Sequence, residues 1–407
     1  CTPTQRYSKA ITTGNFDVIR FLGYVNATKS VVYSSSEQSV LEDHVYCIGL
    51  NGKGKKRLTE PGYNYSINLG PNALYYTESR SNSSHLPVVE HRIKRMDGKW
   101  SKDVELNTEW TKKMGSLNLG TVKFGEFNTD TTKQGYWKTE FWNLVTRNGW
   151  DTKTSAANYT AHAALLSKQI SYTIYPPNFD ANKKYPVLMF VYGGPGSNQV
   201  RNQFGSRNFF YHQYLASQGY LITVVDNRGT GRKGAIFKKS TYLELGLLES
   251  TDHAFAAKQM ANLPYVDASR IGIWGWSFGG YMSSSAITKH SDVFKAAVAV
   301  APVTHWKYYD NIYTERYLRR PIDNPQGYEN NSPLNFTDGI KGNYLLVHGT
   351  GDDNVHWQNS AEMINAMIKS GVRYDAEVYP NRNHGIGDRA ASYHLYRRMT
   401  EFVLEKL

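Results

Sequence analysis

The sequence predicts an α/β protein: a mostly parallel sheet covered by helices, preceded by a run of short antiparallel strands. Three observations predict it. From about residue 169 apolar strand-like runs alternate with amphipathic helical stretches, the pattern of a helix-covered parallel sheet. Before about residue 117 the chain is instead a series of short β-rich runs separated by turn residues. Between strand and helix in the second part sits Gly275-Trp276-Ser277-Phe278-Gly279, a Gly-x-Ser-x-Gly pentad.

The first part is read as strands such as Ser30-Val31-Val32-Tyr33-Ser34, His44-Val45-Tyr46-Cys47-Ile48 and Ala73-Leu74-Tyr75-Tyr76-Thr77, with hairpin turns at Asn51-Gly52 and Asp97-Gly98. Four strands in about forty residues is the blade period of a β-propeller, and two to three blades fit into residues 1–117. Because propellers close with about four to eight blades, the sequence carries the expectation of terminal blades whose N-terminal companions are missing. The chain opens at Cys1 without an initiator Met or a leader, which the same reading takes as a cut chain.

In residues 118–407 strands are predicted at Tyr185 to Tyr192, Tyr220 to Val225, Arg270 to Gly275, Ala296 to Ala301, Asn343 to His348 and Asp375 to Tyr379. Helical spacing covers Leu243 to Asn262, Gly279 to His290, Gln358 to Ser370 and Asp388 to Leu407. Residues 128–168, rich in Thr, Asn and Trp, fit neither pattern.

With 407 residues the length favours two domains, and 40% hydrophobic with 20% charged residues suits a folded, soluble chain. The net charge of +12 does not mark a nucleic-acid protein, since the basic residues are scattered. Their one run, Lys53-Gly54-Lys55-Lys56-Arg57, reads as a solvated hairpin turn. Cys1 and Cys47 have no CxxC or zinc-like spacing, so neither a disulfide scaffold nor a metal site is expected, and no cofactor is implied. No stretch is apolar enough for an integral membrane segment. Sequons at Asn26, Asn64, Asn82, Asn158 and Asn335 lean toward export, periplasmic, extracellular or surface-associated.

The pentad follows the apolar run Ile271-Gly272-Ile273-Trp274 and opens a helix, the strand, sharp turn and helix of a nucleophile elbow in an α/β-hydrolase domain. Its glycines remove Cβ atoms where the backbone must turn sharply. A serine hydroxyl needs an imidazole to take its proton and an acid to orient that imidazole. In this fold these follow in the order Ser, Asp, His. His384 lies after the last strand and before the final helix, and an acid lies in His348-Gly349-Thr350-Gly351-Asp352-Asp353-Asn354, where spacing does not choose between Asp352 and Asp353. His348 comes too early for the base and is read as packed or hydrogen-bonded locally. The oxyanion needs donors: one is the backbone N–H of Phe278, and the other a backbone N–H of the loop Tyr192-Gly193-Gly194-Pro195-Gly196 or the Tyr192 hydroxyl.

The segments Gly275-Trp276-Ser277-Phe278-Gly279-Gly280-Tyr281, Tyr308-Tyr309-Asp310-Asn311-Ile312-Tyr313-Thr314-Glu315-Arg316-Tyr317, Asp226-Asn227-Arg228-Gly229-Thr230-Gly231 and His348 to His356 resemble the prolyl oligopeptidase family of serine peptidases, in its dipeptidyl peptidase IV branch. The resemblance covers nearly the whole chain. It implies Asp352 as the acid, Tyr192 as the side-chain oxyanion donor, and Asn354 as a donor to the carbonyl before the specificity residue. It also implies a pocket of Val303, Trp306, Tyr309, Tyr313, Val355 and Phe278 for a Pro or Ala side chain. Proline has no N–H to pair with, so a compact apolar ring is best recognised by aromatic faces. The activity it implies is release of N-terminal dipeptides after Pro or Ala through an acyl-enzyme on Ser277, from peptide substrates with that residue second. A homodimer is expected by analogy. The branch's pair of amine-anchoring glutamates has no match here, because Glu37, Glu42 and Glu60 are isolated. The same residues would also suit an acylaminoacyl peptidase, an endopeptidase or a non-catalytic propeller and hydrolase shell.

Overall fold

The computed structural model describes residues 10–83, 90–104, 108–132, 163–206 and 208–407. By its internal contacts the chain divides into two units, residues 1–117 with 201–206 and 232–235, and the remainder.

The first unit holds two four-stranded antiparallel sheets, each a meander: β1 (Val18–Val25), β2 (Ser30–Ser35), β3 (His44–Gly49) and β4 (Lys56–Arg57), then β5 (Asn64–Leu69), β6 (Tyr75–Ser81), β7 (Glu90–Arg95) and β8 (Ser101–Val104). Helix α1 (Thr108–Gly115) follows. The expected hairpins are present: Gly52 and Gly98 take φ of 77° and 76°, which a Cβ would oppose. The basic run lies on the β3–β4 hairpin, where Lys55 pairs with Glu37. Val32, Val45, Tyr65, Ile67 and Tyr76 form the apolar core.

The second unit is built on one eight-stranded sheet. In chain order its strands are β9 (Thr121–Asn128), β10 (Lys168–Tyr175), β11 (Tyr185–Val191), β12 (Leu221–Asp226), β13 (Val266–Trp276), β14 (Ala296–Val300), β15 (Asn343–Gly349) and β16 (Asp375–Tyr379). Across the sheet they run β16-β15-β14-β13-β11-β12-β10-β9, parallel except where β10 pairs antiparallel with both β9 and β12. This is the α/β-hydrolase arrangement, and its central strands are buried on both faces, so they read as unbroken apolar runs. Helices α2 (Phe209–Ser217), α3 (Leu247–Ala261), α4 (Phe278–Lys289), α5 (Asn311–Leu318), α6 (Gln358–Lys369) and α7 (Arg389–Lys406) accompany the sheet.

The six strands and four helices read from pattern are all found, most within two residues, with β13 and α3 displaced by up to four at their starts. β9 and β10 lie outside those runs; they pair over their full lengths, although the segment 129–167 separates them in sequence. Thr129 closes its base, with N–H to Ser167 O at 2.9 Å and Oγ1 donating to Leu166 O at 2.9 Å. Most of the segment 128–168 that resisted reading, residues 133–162, lies outside the described residues, as does Cys1.

Two buried polar features stand out in this unit. Arg228, just beyond β12, forms a fully buried pair with Asp252 of α3 through Nε and Nη2, while its backbone N–H donates to the same carboxylate at 2.8 Å. His212 of α2 lies in a box of Phe190, Trp274 and Tyr211, and neither ring nitrogen has a hydrogen-bond partner among the described residues. Burial pulls its pKa down to about 3. Unfolding below pH about 6.5 therefore lets this ring bind a proton that the folded state refuses, so stability is full above that pH and falls as pH drops toward 3. Burial of Glu249 pushes its carboxyl up to about 8, which acts with the opposite sign. The single variant His212→Phe isolates one term. Urea unfolding followed by tryptophan fluorescence should show its stability relative to wild type improving by about 2 kcal/mol between pH 7.5 and pH 5, and unchanged between pH 7.5 and 8.5.

Candidate active site

The candidate site gathers at the C-terminal ends of β11, β13, β14 and β15, where open parallel sheets expose loop backbone and helix N-termini. Ser277 stands between β13 and α4 with φ 62° and ψ −117°, outside the regions open to ordinary residues and worth roughly 1–3 kcal/mol of strain. Its N–H donates to Val300 O at 2.8 Å, and its C=O accepts from Tyr281 N at 3.0 Å. Those bonds hold the turn. The strain thus sits on the serine itself, whereas the flanking glycines answer to crowding. A Cβ on Gly275 would lie 2.5 Å from Val191 O, and one on Gly279 2.1 Å from the same atom.

The loop after β15 contains both candidate acids, and geometry separates them. His384 Nδ1 lies 2.8 Å from Asp352 Oδ2, while Asp353 is exposed. Asp352 Oδ1 accepts from the N–H groups of Asn354 and Val355, each at 2.9 Å. Oδ2 also faces His348 Nε2 at 3.1 Å. Burial alone would push this carboxyl up; the hydrogen bonds from His348 and His384, then the charge of His384, outweigh it and hold Asp352 well below the usual carboxylate range. The His384 loop is laid directly on the acid loop: a Cβ on Gly349 would come 2.2 Å from Arg382 O, and Asn381 N donates to Thr350 Oγ1 at 2.9 Å. Trp276 Nε1 donates to His384 O at 2.9 Å, tying the elbow to the same loop. No hydrogen bond joins His384 Nε2 to Ser277 Oγ among the described residues, as is common for such pairs before substrate is bound.

Tyr192 follows β11, its ring centroid 6.1 Å from that of Phe278. Burial, with Tyr317 adding to it, raises its hydroxyl above the ordinary phenol value, itself already high enough for an O–H donor at neutral pH. The loop carrying it is braced from below: Asn227 Nδ2 donates to Gly193 O at 3.1 Å, and Asn227 Oδ1 lies 3.1 Å from Nε2 of buried His253. That gives the Asp226 to Gly231 motif a mechanical task that spacing does not reveal.

Phe278, Trp306, Tyr309 and Tyr313 form one aromatic cluster, with centroids 5.5 Å apart for Phe278–Trp306, 5.9 Å for Trp306–Tyr309 and Trp306–Tyr313, and 5.4 Å for Tyr309–Tyr313. Val303 and Val355 belong to the same core. Tyr309 and Tyr313 do not share a helix. Tyr309 closes a short 3-10 turn in extended conformation, and α5 begins at Asn311, capped by Asp310 accepting from Tyr313 N at 2.8 Å. Their rings stand perpendicular, two walls rather than one stripe. The Tyr309 hydroxyl donates to Asn354 Oδ1 at 2.8 Å, which leaves the N–H groups of that amide as the ones free to donate. An open groove of about 620 Å³ runs beside Tyr309 and Asn354, with Lys307, Asp310, Asp353 and His356 on its walls. No group of His, Cys, Asp or Glu side chains suited to a metal ion occurs among the described residues.

The fold and the elbow define an α/β-hydrolase domain with a serine at the nucleophile position. Residues 207–407 match the model of the prolyl oligopeptidase family, and residues 1–87 match that of the dipeptidyl peptidase IV N-terminal region. A probable dipeptidyl peptidase 4 of Aspergillus flavus is 44% identical over 240 residues, covering 57% of this chain and 31% of the relative. A probable dipeptidyl-aminopeptidase B of Arthroderma otae is 32% identical over 399 residues, 97% of this chain and 40% of the relative. The crystal structure of Porphyromonas gingivalis dipeptidyl peptidase 4 superposes with a TM-score of 0.85 at 32% identity, covering 98% of this chain and 51% of that one. The chain belongs to the prolyl oligopeptidase family and is dipeptidyl peptidase IV-like. It spans about half the length of that solved relative and less of the curated ones.

The elbow's crowding is directly testable. Gly279→Ala pushes a Cβ against backbone that has nowhere to go, so urea unfolding should show a loss of roughly 3 kcal/mol or more.

Proposed function

We propose that the protein is a serine exopeptidase that releases N-terminal dipeptides after Pro or Ala. Ser277 Oγ attacks the scissile carbonyl, His384 takes the proton through Nε2, and Asp352 holds the imidazole tautomer by accepting from Nδ1. Phe278 N–H and the Tyr192 hydroxyl receive the oxyanion, and His384 then protonates the leaving amine. Water repeats the sequence on the acyl-enzyme and frees the dipeptide. The observation that carries the reading is the 2.8 Å contact between His384 Nδ1 and Asp352 Oδ2 in the loops flanking the strained Ser277. The adjoining Phe278, Trp306, Tyr309 and Tyr313 walls support a Pro or Ala side chain, and Asn354 supports the preceding carbonyl. The names of the relatives point the same way.

The same reading includes residues 1–117 as terminal propeller blades and 118–407 as the catalytic domain, a homodimer, and export. Of the sequons, Asn26 is exposed, whereas the Asn64, Asn82 and Asn335 amides already donate to backbone carbonyls, so glycan on an exported form belongs on Asn26 before these.

A Gly-Pro p-nitroanilide offered to the protein in its natural length tests the chemistry. Ser277→Ala should lower turnover by at least about 10⁴-fold, and equal turnover by variant and wild type refutes the assignment. N-acetylation of the substrate should abolish cleavage; faster cleavage of the blocked amide indicates an acylaminoacyl peptidase or endopeptidase. Tyr192→Phe should cost about 10²- to 10³-fold in kcat with KM little changed, because its hydroxyl serves the transition state.

A further inference from the structure

We infer that His348 is a positioning residue that locks the triad acid and the specificity-pocket loop to one another. The inference rests on the reading of Ser277, Asp352 and His384 as a working triad. His348 is the last but one residue of β15 and has no solvent exposure, and each of its ring nitrogens faces groups of known hydrogen-bonding character. Nε2 lies 2.8 Å from Val355 O and 3.1 Å from Asp352 Oδ2. A carbonyl oxygen only accepts, and the ionised carboxylate only accepts, so Nε2 must carry the hydrogen and share it between them. Nδ1 lies 2.6 Å from Ser360 Oγ, near the start of α6. In the neutral ring Ser360 therefore donates to Nδ1, which pins the tautomer from behind. The Trp357 ring meets the imidazole edge-on, centroids 5.6 Å apart.

The consequence follows from what those two acceptors do. Asp352 orients the base, and Val355 is the pocket wall next to Asn354. Asp352 Oδ1 already binds the N–H groups of Asn354 and Val355. With His348 the loop is gripped from both ends: its amides by the acid, and its last carbonyl by the ring that also holds the acid. Removing the Nε2 donor frees one edge of the Asp352 carboxylate and releases Val355 O at once. Loss of base orientation lowers kcat, and loosening of the pocket raises KM. A residue serving only the acid would move kcat alone, and one serving only packing would move neither parameter, apart from stability.

Side-chain reach supplies the experiment. Glutamine can place an amide N–H where Nε2 stands, asparagine falls short of it, and phenylalanine fills the space without a donor. In steady-state assays on Gly-Pro p-nitroanilide, His348→Asn and His348→Phe should lose about 10- to 100-fold in kcat and gain several-fold in KM, while His348→Gln should stay within about 3-fold of wild type in both. Thermal midpoints confirm that the compared variants are folded; should Phe fail to fold, the Asn and Gln pair decides alone. Equal kcat and KM for Asn and Gln overturns the inference while leaving the triad standing. Wild-type protein that neither turns over the amide nor reacts with a fluorophosphonate at Ser277 removes the triad reading, and the inference falls with it.

Discussion

A carboxylate placed inside a protein stays charged only if hydrogen bonds replace the water it has lost, and the site is arranged around meeting that condition at Asp352. Both oxygens are saturated: two backbone amides on Oδ1 and two imidazoles on Oδ2. These four donors come from three places in the chain, the end of β15, the turn after it and the loop before α7. The acid cannot be satisfied unless all three are present together. Satisfying it therefore builds the turn that carries Asn354 and Val355, and brings His384 within reach.

Around that anchor the backbone is crowded rather than loose. The His384 loop lies so close to the acid loop that position 349 tolerates no Cβ, and the elbow lies so close to the end of β11 that positions 275 and 279 tolerate none. Close packing of this kind is what holds Ser277 at a φ of 62°. Strain on one residue persists only when its neighbours leave it no alternative. Trp276 completes the frame, since its indole N–H reaches the carbonyl of His384 and so links nucleophile turn to base loop through a side chain on neither end of the chemistry.

What could be read from the residues alone was whatever depends on neighbours in sequence. Buried parallel strands such as Tyr185–Val191 are continuous apolar runs, and helices such as Gln358–Lys369 keep a helical period, so their limits were legible to within a few residues. The elbow was legible for the same reason. β9 and β10 were not, because β10 opens on the adjacent polar pair Lys168-Gln169 and buries polar Gln169, Ser171 and Thr173 where apolar residues would mark a strand, and its partner lies far back along the chain. Asp352 and Asp353 are adjacent and chemically alike; only the fold turns one inward. Tyr309 and Tyr313 stand four apart, yet a helix cap falls between them and places their rings at right angles. The chain's local order marked His348 as packed or hydrogen-bonded locally, and which partners it takes depends on how β15, α6 and the turn carrying Asp352 converge.

In the proposed mechanism the aromatic pocket and the oxyanion donors are not independent parts. Phe278 supplies its backbone N–H at the elbow and its ring to the pocket, where it meets Trp306 on one side and Tyr192 on the other. Tyr192 is thus positioned by packing against a residue that, on that reading, also lines the space for the substrate side chain. A ring that fits the pocket would press on Phe278 and Trp306, and through them on the group that receives the oxyanion. In the proposed mechanism side-chain recognition and transition-state stabilisation would draw on the same contacts, so that binding at one residue is converted into rate at the neighbouring bond.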